Sequence, residues 1–145
     1  MPCLQESEPA RALRAACVLK PGVLTGKQLD EITKIPYDSP TETQAAVIAA
    51  IRRGEHKVLK VSQEGKEVGF TVYSVIENER GAEFLSVVSW GQGVSLTEEV
   101  IPLLEDIARQ LGCRSMRLHT CRPGLIEKLL KQNWFCSEII MRKAL

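Results

Sequence analysis

The sequence predicts an α/β (α+β) domain whose mixed, mostly antiparallel sheet is flanked by helices. Residues 57 to 90 contain three runs rich in β-branched and aromatic residues, separated only by the short turns EGK and NERG. This pattern is typical of an antiparallel meander. Residues 98 to 143 then alternate helix-like and strand-like runs. Because a strand–helix–strand crossover makes a parallel step, the sheet should combine the antiparallel meander with one parallel neighbour.

Composition indicates one compact domain and disfavours several classes of partner. The 145 residues are 44% hydrophobic and 26% charged, and we expect an N-terminal segment with short helices (1–38) followed by a core (39–145). A net charge of +1 gives no electrostatic reason to expect a nucleic-acid or membrane partner. Five cysteines without a CxxC pair and only two histidines predict no metal site and a reducing, cytoplasmic location. A monomer or a homodimer is expected.

The N-terminal third contains two weak signals. The run RALRAACVLK fits either a short helix or a first strand, and the residues leave that choice open. After it, Thr25 and Gln28 are spaced as a capping box, which predicts a short helix over TGKQLDEI.

A stronger helix signal follows at the start of the predicted core. Ser39 is suited to the N-cap, Pro40 to the first helical position and Glu42 to the third, and the run TQAAVIAAIRR ends before Gly54. We therefore expect an amphipathic helix that packs on the sheet.

The remaining elements are placed by their periodicity. Strands are expected near 57–63, 67–77, 82–90, 115–120 and 135–143, with a splayed gap between the third and the fourth of these. Helices are expected over EEVIPLLEDIARQLGC, which closes at Gly112, and over PGLIEKLLKQ. The side chains predicted to be mostly buried are Val47, Ile48, Ile51, Phe70, Val72, Leu85, Val87, Leu104, Ile107, Leu118 and Leu129.

With these elements in order, residues 42 to 143 resemble the GNAT superfamily of acyl-CoA-dependent N-acyltransferases. The most specific piece is LEDIARQLGCRSMRLHT, which is similar to the third helix and fifth strand of many members. Short, divergent chains of this kind also resemble those carried by bacteriophages. The resemblance implies the GNAT fold, acetyl-CoA as the cofactor and an amine as the acyl acceptor.

The family's cofactor loop is only partly matched. In GNAT proteins a Gln/Arg-x-x-Gly-x-Gly/Ala loop presents backbone N–H groups to the CoA pyrophosphate at a helix N-terminus. The resemblance carries this role to Gln92, Gly93, Ser95 and Thr97, with Ser95 and Thr97 replacing the two later glycines. Small residues at a helix start let a phosphate approach the free N–H groups, so these replacements should weaken the site.

Two carboxylates follow this loop and should compete with a phosphate. Glu98 and Glu99 lie in the first helical turn, where negative charge already satisfies the helix dipole. Ser95 and Glu98 also have the spacing of a capping box, which would use the N–H groups that a phosphate needs.

The resemblance also implies a main-chain site for the pantetheine arm and the thioester. The exposed edge of the third meander strand would be formed by Val87, Val88 and Ser89, with the Val88 N–H polarising the thioester carbonyl. Arg122 stands where the family usually has an asparagine that helps to hold the pantetheine arm. Leu129 stands where many members have the tyrosine that protonates the leaving thiolate, and leucine cannot donate a proton.

Two residues have the chemistry of a general base for the attacking amine. These are Glu83, at the start of the third meander strand, and His119, on the parallel strand. As alternatives, Glu83 could be a solvated charge at a strand start, and His119 could pack in the sheet.

Two hypotheses follow for the function. The first is a GNAT-like N-acyltransferase or acyl-CoA-binding protein that transfers an acetyl group to an amine. The second is a catalytically silent GNAT-like domain that serves as an interaction or structural module, favoured by the lost glycines and the Glu98–Glu99 pair.

Overall fold

The computed structural model of the chain describes residues 15–35, 43–120 and 122–145. In this part of the chain five strands form one sheet, in the order β1 (Cys17–Pro21), β2 (Lys57–Gln63), β3 (Lys66–Asn78), β4 (Gly81–Gly91) and β5 (Ser115–Leu118). The helices of the described residues are α1 (Gly26–Lys34), α2 (Gln44–Arg52), α3 (Ile101–Gln110), which follows a π turn over Leu96–Val100, and α4 (Pro123–Leu130).

The pairing of the strands confirms the predicted mixed sheet. Strands β1 to β4 pair with their neighbours in the antiparallel sense. Strand β5 pairs with β4 in the parallel sense, from Glu83 opposite Ser115 to Ser86 opposite Leu118. The crossover through α3 therefore makes the parallel step that the sequence predicted.

The N-terminal signals resolve into a strand and a capped helix. Cys17–Pro21 is strand β1, paired with β2, which decides between the two alternatives for this part of the run. The predicted capping box is present at α1, because the Gln28 amide donates to Thr25 Oγ1 at 3.2 Å and the Thr25 amide donates to Gln28 Oε1 at 3.0 Å.

The start of α2 differs from the prediction. Thr43 is the N-cap, and its hydroxyl oxygen accepts the Ala46 amide at 3.2 Å, so the helix begins at Gln44 and not near Ser39. The predicted cap residues in 39–42 lie outside the described residues. The predicted stop is confirmed, because Gly54 adopts φ +77°, a conformation that ends helices readily in glycine.

The strand predicted over 135–143 is absent from the described chain. Residues 134–145 contain no helix or strand. An alternating sequence pattern predicts a strand, but a strand exists only where its backbone groups meet a neighbouring ladder. This segment pairs with no strand of the described sheet.

The sheet is covered on both faces by apolar side chains. One cluster contains Leu59 and Phe84 of the sheet and Leu104 of α3, and the other contains Phe70 of the sheet, Ile32 of α1 and Val47 of α2. Five residues predicted as core are confirmed as buried: Val47, Phe70, Val72, Leu104 and Leu129. The other six are only half-buried: Ile48, Ile51, Leu85, Val87, Ile107 and Leu118. Within the described ranges, no helix has the length and apolar character needed to cross a membrane.

Candidate active site

The pairing between β4 and β5 ends abruptly and leaves a gap. The last pair is Ser86 with Leu118, although β4 continues to Gly91. A β-bulge lies at the same level, because Val72 pairs with Val88 and Tyr73 pairs with Ser86, which leaves Val87 without an opposite residue. A bulge bends its strand and increases the local twist, so Val87 marks the point where β4 turns away from β5. The predicted splay is thereby confirmed.

The direction of the main-chain groups beyond the bulge follows from one hydrogen bond. The Gln92 amide donates to the Val68 oxygen at 2.9 Å, so these two residues form a hydrogen-bonded pair. Hydrogen-bonded and non-hydrogen-bonded pairs alternate along an antiparallel ladder. Val72 and Val88 are therefore also a hydrogen-bonded pair, and the main-chain groups of Val88 point toward β3. The main chain of Ser89 then points to the gap, whereas that of Val88, which we had expected to face the gap, does not.

A cleft of about 450 Å³ lies against this end of β4. Its walls come from α1, from the last residues of β4 and from the residue before α4: Glu31, Lys34, Ile35, Ser89, Trp90, Gly91 and Arg122. Trp90 is held by its ring contact with Phe70, at 5.9 Å between centroids. The cleft therefore has a rigid aromatic wall beside the exposed main chain.

The cleft brings together two of the predicted site residues. Ser89 and Arg122 are distant in sequence but line the same cavity, and the Ser89 hydroxyl is 2.7 Å from that of the fully buried Thr71. Sequence reasoning missed Glu31 and Lys34, which form an ion pair at 3.7 Å. The pattern of α1 predicted a helix, but no sequence signal indicated that its last turn covers the end of β4.

The predicted cofactor loop continues from β4 and is held by internal contacts. Gln92 lines a second, smaller cavity of about 140 Å³ together with Gln28 and Glu67. Gly93 adopts φ +70° and would meet no atom within 4 Å if it carried a Cβ. Thr97 is buried, and its carbonyl oxygen accepts a hydrogen bond from the Gln132 side chain at 2.8 Å. Thr97 is therefore enclosed by the folded chain.

A carboxylate at the start of the helix, that of Glu99, is hydrogen-bonded to other residues of the chain. The Ser95 amide donates to Glu99 Oε2 at 2.6 Å, and the Gln63 side-chain nitrogen lies 3.5 Å from Glu99 Oε1. Ser95 Oγ accepts the Glu98 amide at 3.3 Å. Half of the predicted capping box is present, but the carboxylate that returns to the Ser95 amide is that of Glu99 instead of Glu98. The reason is the π turn, whose wider winding brings residue 99 above residue 95.

The two candidate bases lie at different levels of the sheet. Glu83 pairs with Ser115 at the start of both strands, where it accepts the Ser115 hydroxyl at 3.0 Å and lies 3.4 Å from Arg117 Nε. At 3.3 Å per residue, Glu83 is about 20 Å along β4 from Ser89. His119 follows the last residue of β5 directly, is exposed, and is level with the bulge by continuation of the parallel register. The geometry therefore places His119, and not Glu83, near the gap.

Within 15–35, 43–120 and 122–145, no group of three or more His, Cys, Asp or Glu side chains could hold a metal ion. Burial raises the pKa of the Cys113 thiol above its usual value, so this side chain favours the neutral form.

Comparison with known proteins identifies the fold. No protein-family model and no curated protein shows significant sequence similarity to the chain. Among solved structures, a Trypanosoma brucei acetyltransferase is 19% identical with a TM-score of 0.58, covering 88% of this chain and 100% of its own. The ribosomal-protein-alanine N-acetyltransferase of Brucella melitensis biovar Abortus 2308 is 15% identical with a TM-score of 0.57, covering 90% and 99%.

A third structure of the same fold was solved with a CoA-containing ligand. AAC(6')-Iy, in complex with the bisubstrate analog CoA-S-monomethyl-acetylneamine, is 13% identical with a TM-score of 0.56, covering 90% of this chain and 100% of its own. The chain spans essentially the whole of each of these three proteins. Its mixed five-stranded sheet, its bulged fourth strand and these neighbours together show that the chain has the GNAT acetyltransferase fold.

Proposed function

We propose that the chain binds acetyl-CoA in the gap between β4 and β5 and transfers the acetyl group to an amine. The observation that carries this proposal is the bulge at Val87, where β4 leaves β5 and directs the Ser89 main chain toward the cleft. Main-chain donors and acceptors at such an edge can pair with the amides of a pantetheine arm, as an added strand would. No particular side chain is needed, so this part of the site tolerates the lost glycines of the loop.

The chemistry assigned to the gap is aminolysis of a thioester. The amine nitrogen forms a bond to the acyl carbon, the carbon–sulfur bond breaks, the thiolate leaves, and the amine nitrogen gives up one proton, which finally reaches the thiolate through solvent. The Ser89 N–H would stabilise the developing oxyanion. His119, level with the bulge, would accept the amine proton directly or through a water molecule. Glu83 would have a structural role, because it binds Ser115 and Arg117 of β5.

A silent scaffold is the second candidate, and one observation favours it. The Glu99 carboxylate already accepts the Ser95 amide, one of the groups that a pyrophosphate would contact. An internal anion at this position competes with the cofactor. We therefore expect weak CoA binding or none in the parent chain. There the pyrophosphate loop would not contribute, and only the main-chain groups at the edge of β4 would bind the ligand. A cytoplasmic location and a bacteriophage source fit either candidate and remain part of the proposal.

Thermal and urea unfolding with acetyl-CoA distinguish the two candidates. At a hundredfold excess over its dissociation constant, the cofactor should stabilise the fold by about 2.7 kcal/mol, and free CoA should act nearly as well. Replacing Glu98 and Glu99 by glutamine should strengthen this binding, while added salt should weaken it. If millimolar acetyl-CoA stabilises neither the parent nor the double variant, the acyltransferase proposal is abandoned in favour of the scaffold.

Activity then separates the two candidate bases. In a variant that binds acetyl-CoA, His119→Gln should lower the rate of acetyl transfer to a panel of amines by about 10²–10⁴-fold. Glu83→Gln is the matched control, because it also removes a titratable group near β5 but lies about 20 Å from the cleft. A large loss of rate with Glu83→Gln and none with His119→Gln would reverse the assignment.

A further inference from the structure

Two hydroxyl groups meet at the point where β4 leaves β5. Thr71 of β3 and Ser89 of β4 lie opposite each other in the ladder, and their side-chain oxygens are 2.7 Å apart. By the alternation that starts from the bond between Gln92 and Val68, Thr71 and Ser89 form a non-hydrogen-bonded pair, the class in which opposite side chains lie closest. The register of the bulged ladder therefore holds the two hydroxyl groups against each other.

Burial decides which of the two hydroxyl groups donates. Thr71 is fully buried, and the Ser89 hydroxyl is the one hydrogen-bond partner of its side chain among the described residues. A buried hydroxyl hydrogen without an acceptor costs free energy. Ser89 is only half-buried and lines the cleft, where water or a ligand can accept its hydrogen. Thr71 therefore donates to Ser89 Oγ, and the hydrogen of the Ser89 hydroxyl can be donated to a group in the cleft.

The direction of this hydrogen bond determines what the Ser89 side chain can bind. A hydroxyl group that already accepts one hydrogen bond still has its hydrogen to donate, so an acceptor atom of a ligand satisfies it best. The main chain of Ser89 also points to the gap, so this one residue offers two donors. A thioester offers two matching acceptors, because its oxygen and its sulfur are bonded to the same carbon and both gain negative charge during aminolysis.

We propose that the Ser89 hydroxyl is a catalytic group that donates a hydrogen bond to the leaving sulfur, and that Thr71 is the residue that positions it. This role of Ser89 rests on the proposed acyl transfer. No proton is transferred at the contact: the carbon–sulfur bond breaks, the sulfur keeps the electron pair, and the Ser89 hydroxyl stabilises the resulting thiolate. Hydrogen bonds to charged groups are stronger than those to neutral groups, so the contact strengthens as the bond breaks.

A pH titration of bound CoA, followed by the ultraviolet absorbance of its thiolate, tests the contact without acyl transfer. The starting protein is the full chain with Glu98→Gln and Glu99→Gln, and the complex with desulfo-CoA, which lacks the thiol, is the blank. Ser89→Ala keeps the main-chain N–H group and removes only the hydroxyl. It should lower the acid dissociation constant of the bound thiol by about 10–100-fold. Ser86→Ala, on the part of β4 that is paired with β5, is the matched control and should leave this constant unchanged.

Turnover is the second measurement. Ser89→Ala should lower kcat for acetyl transfer by about 10–100-fold and leave KM for acetyl-CoA nearly unchanged, because the contact is strong only once the thiolate forms. Thr71→Val, which removes the positioning hydroxyl, should cause a smaller loss in the same direction in both measurements. Thr71→Ser keeps a hydroxyl and should restore the parental values. A merely structural role of Thr71 would instead weaken the binding of CoA and of desulfo-CoA equally.

The possible outcomes separate the role of Ser89 from the proposed function. If CoA binds but Ser89→Ala leaves the titration of its thiol unchanged, the role of Ser89 is refuted, whereas the acyltransferase is not. This titration needs no turnover, so it also decides the matter in a chain that binds CoA without transferring the acetyl group. If Thr71→Val and Thr71→Ser act alike, Thr71 does not position the hydroxyl. If neither CoA nor desulfo-CoA binds to the glutamine double variant, the proposed function is refuted and the role of Ser89 with it.

Discussion

Replacing Glu99 by alanine should weaken the unliganded fold and strengthen CoA binding. The Glu99 carboxylate accepts the Ser95 amide at 2.6 Å, at the start of the π turn. A hydrogen bond to a charged group contributes about 1.5–3 kcal/mol, and because the Glu99 side chain is only half-buried the lower end applies. The free energy of unfolding should therefore fall by about 1.5 kcal/mol.

The same contact opposes the ligand. A phosphate that uses the Ser95 amide must first displace the Glu99 carboxylate, so the free energy of that contact is subtracted from the free energy of binding. A difference of about 1.4 kcal/mol changes a dissociation constant tenfold. Titration calorimetry with free CoA should thus show binding to Glu99→Ala that is about tenfold tighter than to the parent.

Glu98→Ala is the matched control for this experiment. Glu98 carries the same charge in the same turn but is exposed. Its removal should change CoA affinity only through the charge at the helix start, by up to about fivefold, and high salt should abolish the change. The Glu99→Ala effect should persist in salt. If the two variants act equally, or if both effects vanish in salt, the internal-anion explanation is wrong.

Three further outcomes test the packing of the fold. Leu104→Ala, at a fully buried site, should cost about 2–5 kcal/mol in urea unfolding, and a loss under about 1 kcal/mol would contradict the placement of α3. Gly69→Ala should lower the free energy of unfolding by about 1–3 kcal/mol, because its Cβ would lie 2.2 Å from a main-chain oxygen of β4. Gly124→Ala should raise it by about 0.5–1 kcal/mol, because its Cβ would meet no atom within 4 Å. Burial raises the pKa of Cys113, so its thiol should react with iodoacetamide more slowly than that of the exposed Cys136 at about pH 8. The reaction of Cys113 should become faster as the pH rises. Equal rates for the two thiols would argue against the burial of Cys113.

The sequence predicted elements whose signal is local. Strand β2 was expected near 57–63 and spans Lys57–Gln63, because a β-branched run between two turn segments leaves few alternatives. The end of α3 was expected at Gly112, which adopts φ +78°. Helix α4 begins at Pro123 as predicted, because proline is favoured in the first turn of a helix and disfavoured at later helical positions.

What the sequence did not predict depends on contacts between distant segments. Leu85 was expected in the core, but Phe84 is fully buried and Leu85 is only half-buried. The bulge at Val87 changes the alternation on β4, and no local residue signals it. The cleft residues Glu31 and Lys34 were missed for a similar reason, since α1 reaches the end of β4 only in the folded chain.

The π turn over Leu96–Val100 determines how this loop would respond to the loss of one codon. In that turn the Val100 amide reaches the Ser95 oxygen at 3.3 Å, five residues back, so the winding holds one residue more than an ordinary turn. Deletion of a single codon there would restore ordinary winding without disturbing α3. If the lost codon is that of residue 96, 97 or 98, Glu99 then stands three residues after Ser95, which is the spacing of a capping box. A single in-frame deletion would therefore leave a carboxylate within reach of the Ser95 amide, so the loop keeps its internal anion with or without the extra residue of the π turn.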